Sequence, residues 1–368
     1  MGLFDKKQVV QKFKSFHQYV TKNNGQIGQK QRGIDLNLNN ACNLTCEHCF
    51  TNSPKGEHIK EVLPMDVVRR IADEAHELGI FEFDLQGGEL TLRPKLLYKV
   101  LEVIDTSRFY MYLTTNGAKL DQKMAQNLKD LGVDRVSVSI DSMNPLDHDK
   151  FRGKKGSWKK AIDALDYVKA VGIDPFLNIT VGHYNAFSED VEDMCKYSFE
   201  KGYTTLINVA TPMGMWHSMS EIMCDEKDTA RIIELRKKYK NILRNLWNPF
   251  DKHFEGVLGC NTVNRLYITP LGDVLPCPYV HIKIGNVFES SLKEISDYGF
   301  SIKYFNEHRG LCLAGEDKDF AGKFLSKPGQ TIFKPAQPED IFSEAEYVYA
   351  SEYAPKKIRK VIAIEQIN

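Results

Sequence analysis

From Gly33 to Val209 the chain alternates short apolar or β-branched runs with longer segments of helical periodicity, and this alternation constrains the fold most. The runs 33–38, 81–85, 109–114, 135–140, 175–181 and 205–209 read as strands. Segments 65–78, 94–104, 122–131, 158–171 and 189–201 read as helices. Gly79, Gly132, Gly172 and Gly202 each stand at a helix exit just before the next strand, where a left-handed C-cap residue is needed. Ser157 and Ser188 are the expected N-caps. Strands alternating with helices imply a parallel α/β sheet with right-handed crossovers, and an open doubly wound sheet or a partial barrel both fit.

After Val209 the pattern changes to a Met- and Trp-bearing loop and a helix over about 225–247. Beyond Pro249 come short strands and turns carrying Cys260, Cys277 and Cys312. The expected organisation is an N-terminal extension (1–31), a core barrel (32–250), a small second domain (251–325) and a tail (326–368). The tail carries Pro328, Pro335, Pro338 and Pro355 and has no assigned structure. Basic and acidic residues balance at 49 each, so no global field draws the chain toward nucleic acid or an acidic membrane. The segment Met1 to Lys7 lacks the apolar run of a signal peptide and no stretch is apolar enough to span a bilayer, so a cytoplasmic location is expected. In that setting eight cysteines point to metal ligands or catalysts rather than disulfides.

Cys42-x-x-x-Cys46-x-x-Cys49 follows the first strand directly, which puts three thiols on one loop at the end of a parallel strand where active sites form. Three thiolates can hold three irons of a four-iron cluster and leave the fourth open. A structural zinc site would want four ligands and paired Cys-x-x-Cys hooks. This triad resembles the signature of the radical S-adenosylmethionine (radical SAM) superfamily. Gln86-Gly87-Gly88-Glu89, Thr115-Asn116-Gly117, Ser139-Ile140-Asp141 and Phe151-Arg152-Gly153 follow strands two, three and four in the matching order, over roughly 32–209.

The resemblance implies a partial (β/α)6 TIM-like barrel, a SAM-binding [4Fe-4S] cluster on Cys42, Cys46 and Cys49, and an external low-potential electron donor of flavodoxin or ferredoxin type. It implies that reductive cleavage of SAM yields a radical that takes a hydrogen atom from the substrate. Gln86, Gly87, Gly88 and Glu89 would hold the methionine part of SAM, the glycines by removing side chains and Glu89 by offering a carboxylate to an ammonium. Ser139 would bond the ribose, Arg152 would face the cofactor carboxylate or substrate, and His48 would stand beside the adenine. Asn116 shapes the floor.

The second cysteine spacing is Cys260, eleven residues, Gly272, four residues, Cys277. Arg265 to Thr269 and Val274 to Pro276 read as strands around the turn Pro270-Leu271-Gly272-Asp273, bringing the two cysteines to one end of a hairpin, where Cys312 can join them. The arrangement resembles the twitch domain, a shortened relative of SPASM, and implies one auxiliary [4Fe-4S] cluster. Its fourth ligand is open among substrate, His308, Glu316, Asp317, Cys195 and Cys224. The last two lie in or beside helices, where a buried structural thiol is expected.

An auxiliary cluster can accept an electron from a substrate radical, which suits net oxidation, or orient substrate through an open iron. The resemblance to twitch-bearing enzymes implies first a small sugar, aminocyclitol or polyol-like substrate that is oxidised, epimerised or rearranged. A peptide-modifying maturase is the alternative, disfavoured because only about thirty residues precede the first strand. A noncatalytic iron-sulfur or zinc scaffold is remote. After strand six the loop Thr211 to Met219 should overhang the pocket, with Trp216 placed to stack on a sugar or to pack under the second domain, and His217 placed as acid or base. Tyr184 and Asn185 are weaker candidates of the same kind.

Overall fold

The computed structural model describes residues 6–253 and 255–348. A helix, α1 (Lys7–Lys22), precedes six parallel strands that pair in chain order: β1 (Gly33–Asn37), β2 (Glu82–Gln86), β3 (Tyr110–Thr115), β4 (Arg135–Ser139), β5 (Asp174–Val181) and β6 (Thr204–Val209). Helices α2 (Met65–Glu77), α3 (Pro94–Ile104), α4 (Gln122–Asp130), α5 (Pro145–Phe151), α6 (Ser157–Ala170) and α7 (Glu189–Lys201) form the crossovers. Side chains from β1, β2, β3, β5 and β6, namely Asp35, Asp84, Thr114, Asn178 and Asn208, line one pocket. Strands this far apart converge only if the sheet curves, so the fold is a partial barrel rather than an open doubly wound sheet.

The four exit glycines all adopt left-handed φ, between 66° and 83°. Ser188 caps α7 by accepting from Val191 N at 3.3 Å. Ser157 does not cap α6; Gly156 holds that position, and the Asp149 carboxylate reaches across from α5 to accept from Trp158 N at 2.8 Å. The helix expected over 225–247 is also shorter. It is α8 (Glu226–Lys238), after which Ile242–Leu243 forms β7 beside β6. Asn241 redirects the chain: its side chain donates to the Tyr203 carbonyl at 2.8 Å and its own carbonyl accepts from Thr205 N at 3.0 Å. Sheet pairing overrides local helical preference there.

α1 had no counterpart in the sequence reading. It lays Val9, Phe16 and Val20 inward and is pinned at its start by Lys6, whose ammonium meets Asp134 at 2.5 Å and the carbonyls of Gly132 and Phe109 at 2.8 and 3.0 Å.

The expected hairpin forms as β8 (Arg265–Ile268) and β9 (Asp273–Leu275), turning at Gly272 with φ 81°. It is continuous with the barrel, because β8 also pairs in parallel with β1, Gly33 opposite Arg265 through Leu36 opposite Ile268. With β10 (Gly285–Asn286) on β9, one sheet of ten strands runs β10-β9-β8-β1-β2-β3-β4-β5-β6-β7. After α9 (Leu292–Ser301) the tail packs back: Gln330 donates to the His281 carbonyl at 2.8 Å and Phe342 stacks among Tyr304 and Phe324. Pro355 lies outside the described residues.

Candidate active site

The Cys42 to Cys49 loop is clasped by glycines from three directions. A Cβ on Gly88 would lie 2.3 Å from the Ala41 carbonyl oxygen, one on Gly153 would lie 1.9 Å from Thr45 Oγ1, and one on Gly214 would lie 2.2 Å from the Cys49 carbonyl oxygen. Backbone bonds close each contact: Glu89 N to Ala41 O at 2.7 Å, Thr45 N to Arg152 O at 3.1 Å and Met215 N to Cys49 O at 3.0 Å. The motifs after β2, β4 and β6 are therefore joined by one demand, close backbone approach to the thiol loop. Gly87 (φ 147°) serves it too, since its Cβ would fall 2.4 Å from the Asn39 carbonyl.

Cys42, Cys46 and Cys49 are free thiols facing one cavity of about 190 Å³. Each sulfur has a polar neighbour: Asn116 Nδ2 at 4.0 Å from Cys42, an Arg152 guanidinium nitrogen at 3.6 Å from Cys46, and Thr51 Oγ1 at 3.4 Å from Cys49. Burial pushes the Cys42 thiol up to about 12 and raises Cys46 as well, with Arg152 opposing the second shift. Burial alone thus keeps these two groups protonated, and a bound cation is what makes them thiolates, releasing protons. Three convergent thiols with donors aimed at sulfur fit a site-differentiated iron-sulfur cluster.

His48, Gln86, Gly88, Asn116, Ser139 and Arg152 line the same cavity. His48 stacks on Phe151 at 4.8 Å, and burial pushes its imidazole down to about 4. Arg152 forms a buried ion pair with Asp141. Asn116 spans the strand end and the thiol loop, accepting from Ala118 N at 2.9 Å and donating to Asn43 Oδ1 at 3.1 Å.

Two expected site residues do not line this cavity. Glu89, 1% exposed, is behind the cavity wall with its carboxylate taken up by Thr91 N at 2.9 Å, Thr115 Oγ1 at 2.7 Å and Asn116 N at 2.7 Å. These bonds brace β3 against the thiol loop, and the charge of Glu89 acts on Cys42. His217 does not line the cavity: the short turn Gly214–Trp216 directs Trp216 into the wall, beside His48 at 5.7 Å, and the next residue away from it. Tyr184 packs edge-on against Trp216 at 5.4 Å, whereas Asn185 builds a turn by accepting from Gly182 N at 2.8 Å.

Cys260, Cys277 and Cys312 line a second cavity of about 100 Å³ at the seam where β6 faces β1 and β8. Burial, with the neighbouring thiols adding to it, raises Cys277 far above its usual value and Cys312 to about 12. This donor set also fits an iron-sulfur cluster. None of the five proposed fourth ligands lines the cavity. Glu316 is held by Arg244 and accepts from Cys312 N at 2.7 Å, Asp317 caps the turn at Phe320 N at 2.9 Å, and His308 is exposed. Cys195 and Cys224 are buried structural thiols, as expected; the Cys224 sulfur rests on the Val181 carbonyl at 3.6 Å.

The sequence reading missed the cavity floor. Asp35 and Asp84 lie opposite each other on β1 and β2 and both line the first cavity. Arg265 binds Asp35 and Glu82, and Arg32 reinforces Glu82 at 2.8 Å. Asp35, Asn208, Asn245, Arg265 and Tyr279 line both cavities, which are therefore contiguous. The available signal was acids inside two apolar strand runs, Asp35 in the first and Glu82 and Asp84 in the second, polar residues on a barrel's inner face.

Residues 36–198 match the sequence model of the radical SAM superfamily, and residues 260–312 match that of SPASM, an iron-sulfur cluster-binding domain. The chain belongs to the radical SAM superfamily. It carries a SPASM domain whose match begins at Cys260 and ends at Cys312. It is thus a radical SAM enzyme whose cofactors are a four-iron cluster, SAM and auxiliary iron-sulfur chemistry in the SPASM domain.

Among relatives, a probable GTP 3′,8-cyclase of Methanosarcina acetivorans is 27% identical over 73% of this chain and 84% of its own length. The PqqA peptide cyclase of Rhizobium meliloti is 26% identical over 77% and 80%. In fold the chain is similar to native anSMEcpe with bound AdoMet and Cp18Cys peptide, with a TM-score of 0.58 and 18% identity, covering 92% of this chain and all of that one. No helix of the described residues is long and apolar enough to cross a membrane.

Proposed function

We propose that this radical SAM/SPASM enzyme oxidises or cross-links an amino-acid side chain within a peptide, in preference to the small polyol that the sequence suggested first. The observation that carries this reading is the charge state of the cavity. The two arginines lining it are already committed, Arg152 to Asp141 and Arg265 to Asp35 and Glu82. Asp84 lines the floor without an ion pair among the described residues, meeting only Thr114 Oγ1 at 3.4 Å. Such a floor offers no unpaired cation to a nucleotide triphosphate and accepts a neutral or basic side chain. The peptide-acting relatives support the same choice over the GTP-acting ones.

In this reading the bound cofactors supply the reducing electron, the hydrogen-abstracting radical and an auxiliary electron acceptor. The chain's residues do the rest. Gln86, Gly88, Asn116 and Ser139 hold SAM beside the thiol loop, with His48 against its adenine. Arg152 offsets the charge at Cys46. Trp216 closes the β6 side and excludes water. After a hydrogen atom and an electron have left the substrate, a proton must also leave, and Asp84 is placed to accept it; burial beside Asp35 lifts its pKa to about 7, a useful value for a base.

The test is anaerobic turnover of reduced enzyme with SAM and a deuterated peptide library, against a panel of sugars and cyclitols. Deuterium passing from peptide into deoxyadenosine, with two hydrogens lost from the peptide mass, is the expected result. Turnover of a polyol with no peptide accepted overturns the peptide reading. A Cys260→Ala/Cys277→Ala/Cys312→Ala variant should lose one cluster's iron and product formation while still cleaving SAM.

A further inference from the structure

A third cavity of about 330 Å³ lies toward the N-terminal end of the barrel, between the strand starts and α1. This volume falls within the range of small-molecule sites. Val9, Val10 and Phe13 of α1 form one wall; Phe81, Tyr110, Phe176 and Trp247 form much of the rest. The Arg32, Glu82, Arg265 and Asp35 network stands between this cavity and the thiol loop, with Arg32 and Glu82 facing the cavity, while Leu206 and Asn245 line both this cavity and the first.

Its lining holds four guanidinium groups and one carboxylate. Glu82 is fully engaged by Arg32, Arg265 and the Tyr112 hydroxyl, and Arg244 is paired with Glu316. Arg135 differs. It is 8% exposed, sits over Phe176 at 3.6 Å and Tyr112 at 4.4 Å, gives its Nε to Ser137 Oγ at 3.3 Å, and enters no ion pair with a described residue. The field of Asp84 reaches it from the other side of the floor, but beyond ion-pair distance. A buried guanidinium on an aromatic shelf is costly without an anion and preorganised for a planar one.

We propose that this cavity is a binding site for a small aromatic monocarboxylate, with the acid group on Arg135 and the ring among Phe13, Phe81, Phe176 and Trp247. Lys6 holds the α1 wall in place, and Phe13, 44% exposed, marks the way in.

The test is calorimetric titration of the cluster-loaded full chain with 2-naphthoate and with neutral 2-naphthalenemethanol, which has the same ring. One saturable naphthoate site per chain is expected, with the alcohol at least about tenfold weaker, equivalent to about 1.4 kcal/mol. Arg135→Met should remove that preference and leave the alcohol's affinity unchanged, and Leu243→Trp, which fills the cavity, should abolish both. Iron content and melting temperature check that each variant folds. Equal affinity of the two probes for the wild type, or no saturable binding of naphthoate, overturns the proposal without recourse to any variant. So does retention of naphthoate affinity in a folded Arg135→Met.

Discussion

Replacing Gly88 with Ala tests whether the glycine motif serves the thiol loop. The added Cβ would sit 2.3 Å from the Ala41 carbonyl oxygen and 2.6 Å from its carbon, where real contacts do not fall below 3.0 Å. The obstacle is backbone, so no rotamer change relieves it, and the loop must retreat by roughly 0.7 Å or more. That displacement strains Gly88 N to Asn39 O, at 2.9 Å, and Glu89 N to Ala41 O, at 2.7 Å. Overpacking of this kind costs about 1–3 kcal/mol and each of the two weakened bonds about 0.5–1.5 kcal/mol, for a local penalty of roughly 2–6 kcal/mol. The residue after Ala41 is Cys42, so the penalty falls on cluster assembly and spares the thiols at the seam. Anaerobic reconstitution with iron counting should therefore fall from about eight to about four irons per chain, with SAM cleavage lost. Gly322→Ala, whose Cβ meets nothing within 4 Å and whose φ is not left-handed, is the matched control and should keep all its iron. Full iron and undiminished SAM cleavage in Gly88→Ala would refute the reasoning.

Arg152→Met leaves the Asp141 carboxylate buried at 7% side-chain exposure without its partner, and thermal melting should show a loss of about 3–5 kcal/mol. The Arg152→Met/Asp141→Leu double variant should recover much of that, and no recovery would count against the ion-pair account. Lys6→Met should cost a similar amount, about 3–5 kcal/mol by urea unfolding, because it strands Asp134; a change under about 1 kcal/mol would show that α1 is not pinned there. His281 is fully buried, its Nε2 faces the Pro278 carbonyl at 3.1 Å, and its Nδ1 has no partner, so a second proton has nowhere to bond. Burial pushes its pKa down to about 3, below the unfolded value near 6.5. The stability it contributes is present above about pH 6.5 and is lost as pH falls toward 3, by up to about 1.4 kcal/mol per unit. Urea unfolding at pH 7 and pH 5 should show a shallower loss for His281→Gln than for wild type, and equal slopes would exclude the histidine as the source.

The strand and helix alternation was legible because each element is set by local periodicity, with Gly79, Gly132, Gly172 and Gly202 marking the exits in left-handed conformations. The first thiol triad was legible because a single loop fixes its spacing, and Cys260 and Cys277 because a single hairpin brings them together. Partners brought by distant chain were not. Asp149 caps α6 from the preceding helix, and Asn241 sends the chain to the sheet edge where the local pattern favours helix. Glu89 carries the expected motif, yet its carboxylate accepts from four donors, two of them from β3 and the residue after it. The turn at Gly214 separates Trp216 from His217, a distinction that adjacency in sequence does not make.

The parallel pairing of β8 with β1 explains how one pocket serves two thiol sites. β1 runs directly into the Cys42 to Cys49 loop, so that site stands at its C-terminal end. Cys260 precedes β8, and Cys277 follows the antiparallel β9, so both stand at the N-terminal end of the same pair of strands. A five-residue strand spans roughly 15 Å, which sets the scale of the separation. Cys312 arrives from the other side: a Cβ on Gly315 would lie 2.4 Å from Val209 Cγ2, so the Cys312 turn is seated on β6. The second thiol site therefore closes the gap between the first and last barrel strands, and the residues shared by the two cavities, Asp35, Asn208, Arg265 and Tyr279, form the passage between them. In the proposed peptide reaction, a side chain entering the barrel mouth would meet the first site on its way in and Asp84 at the floor, with the second site beyond. That order matches a reaction in which a hydrogen atom leaves first and the remaining electron and proton leave deeper in the pocket.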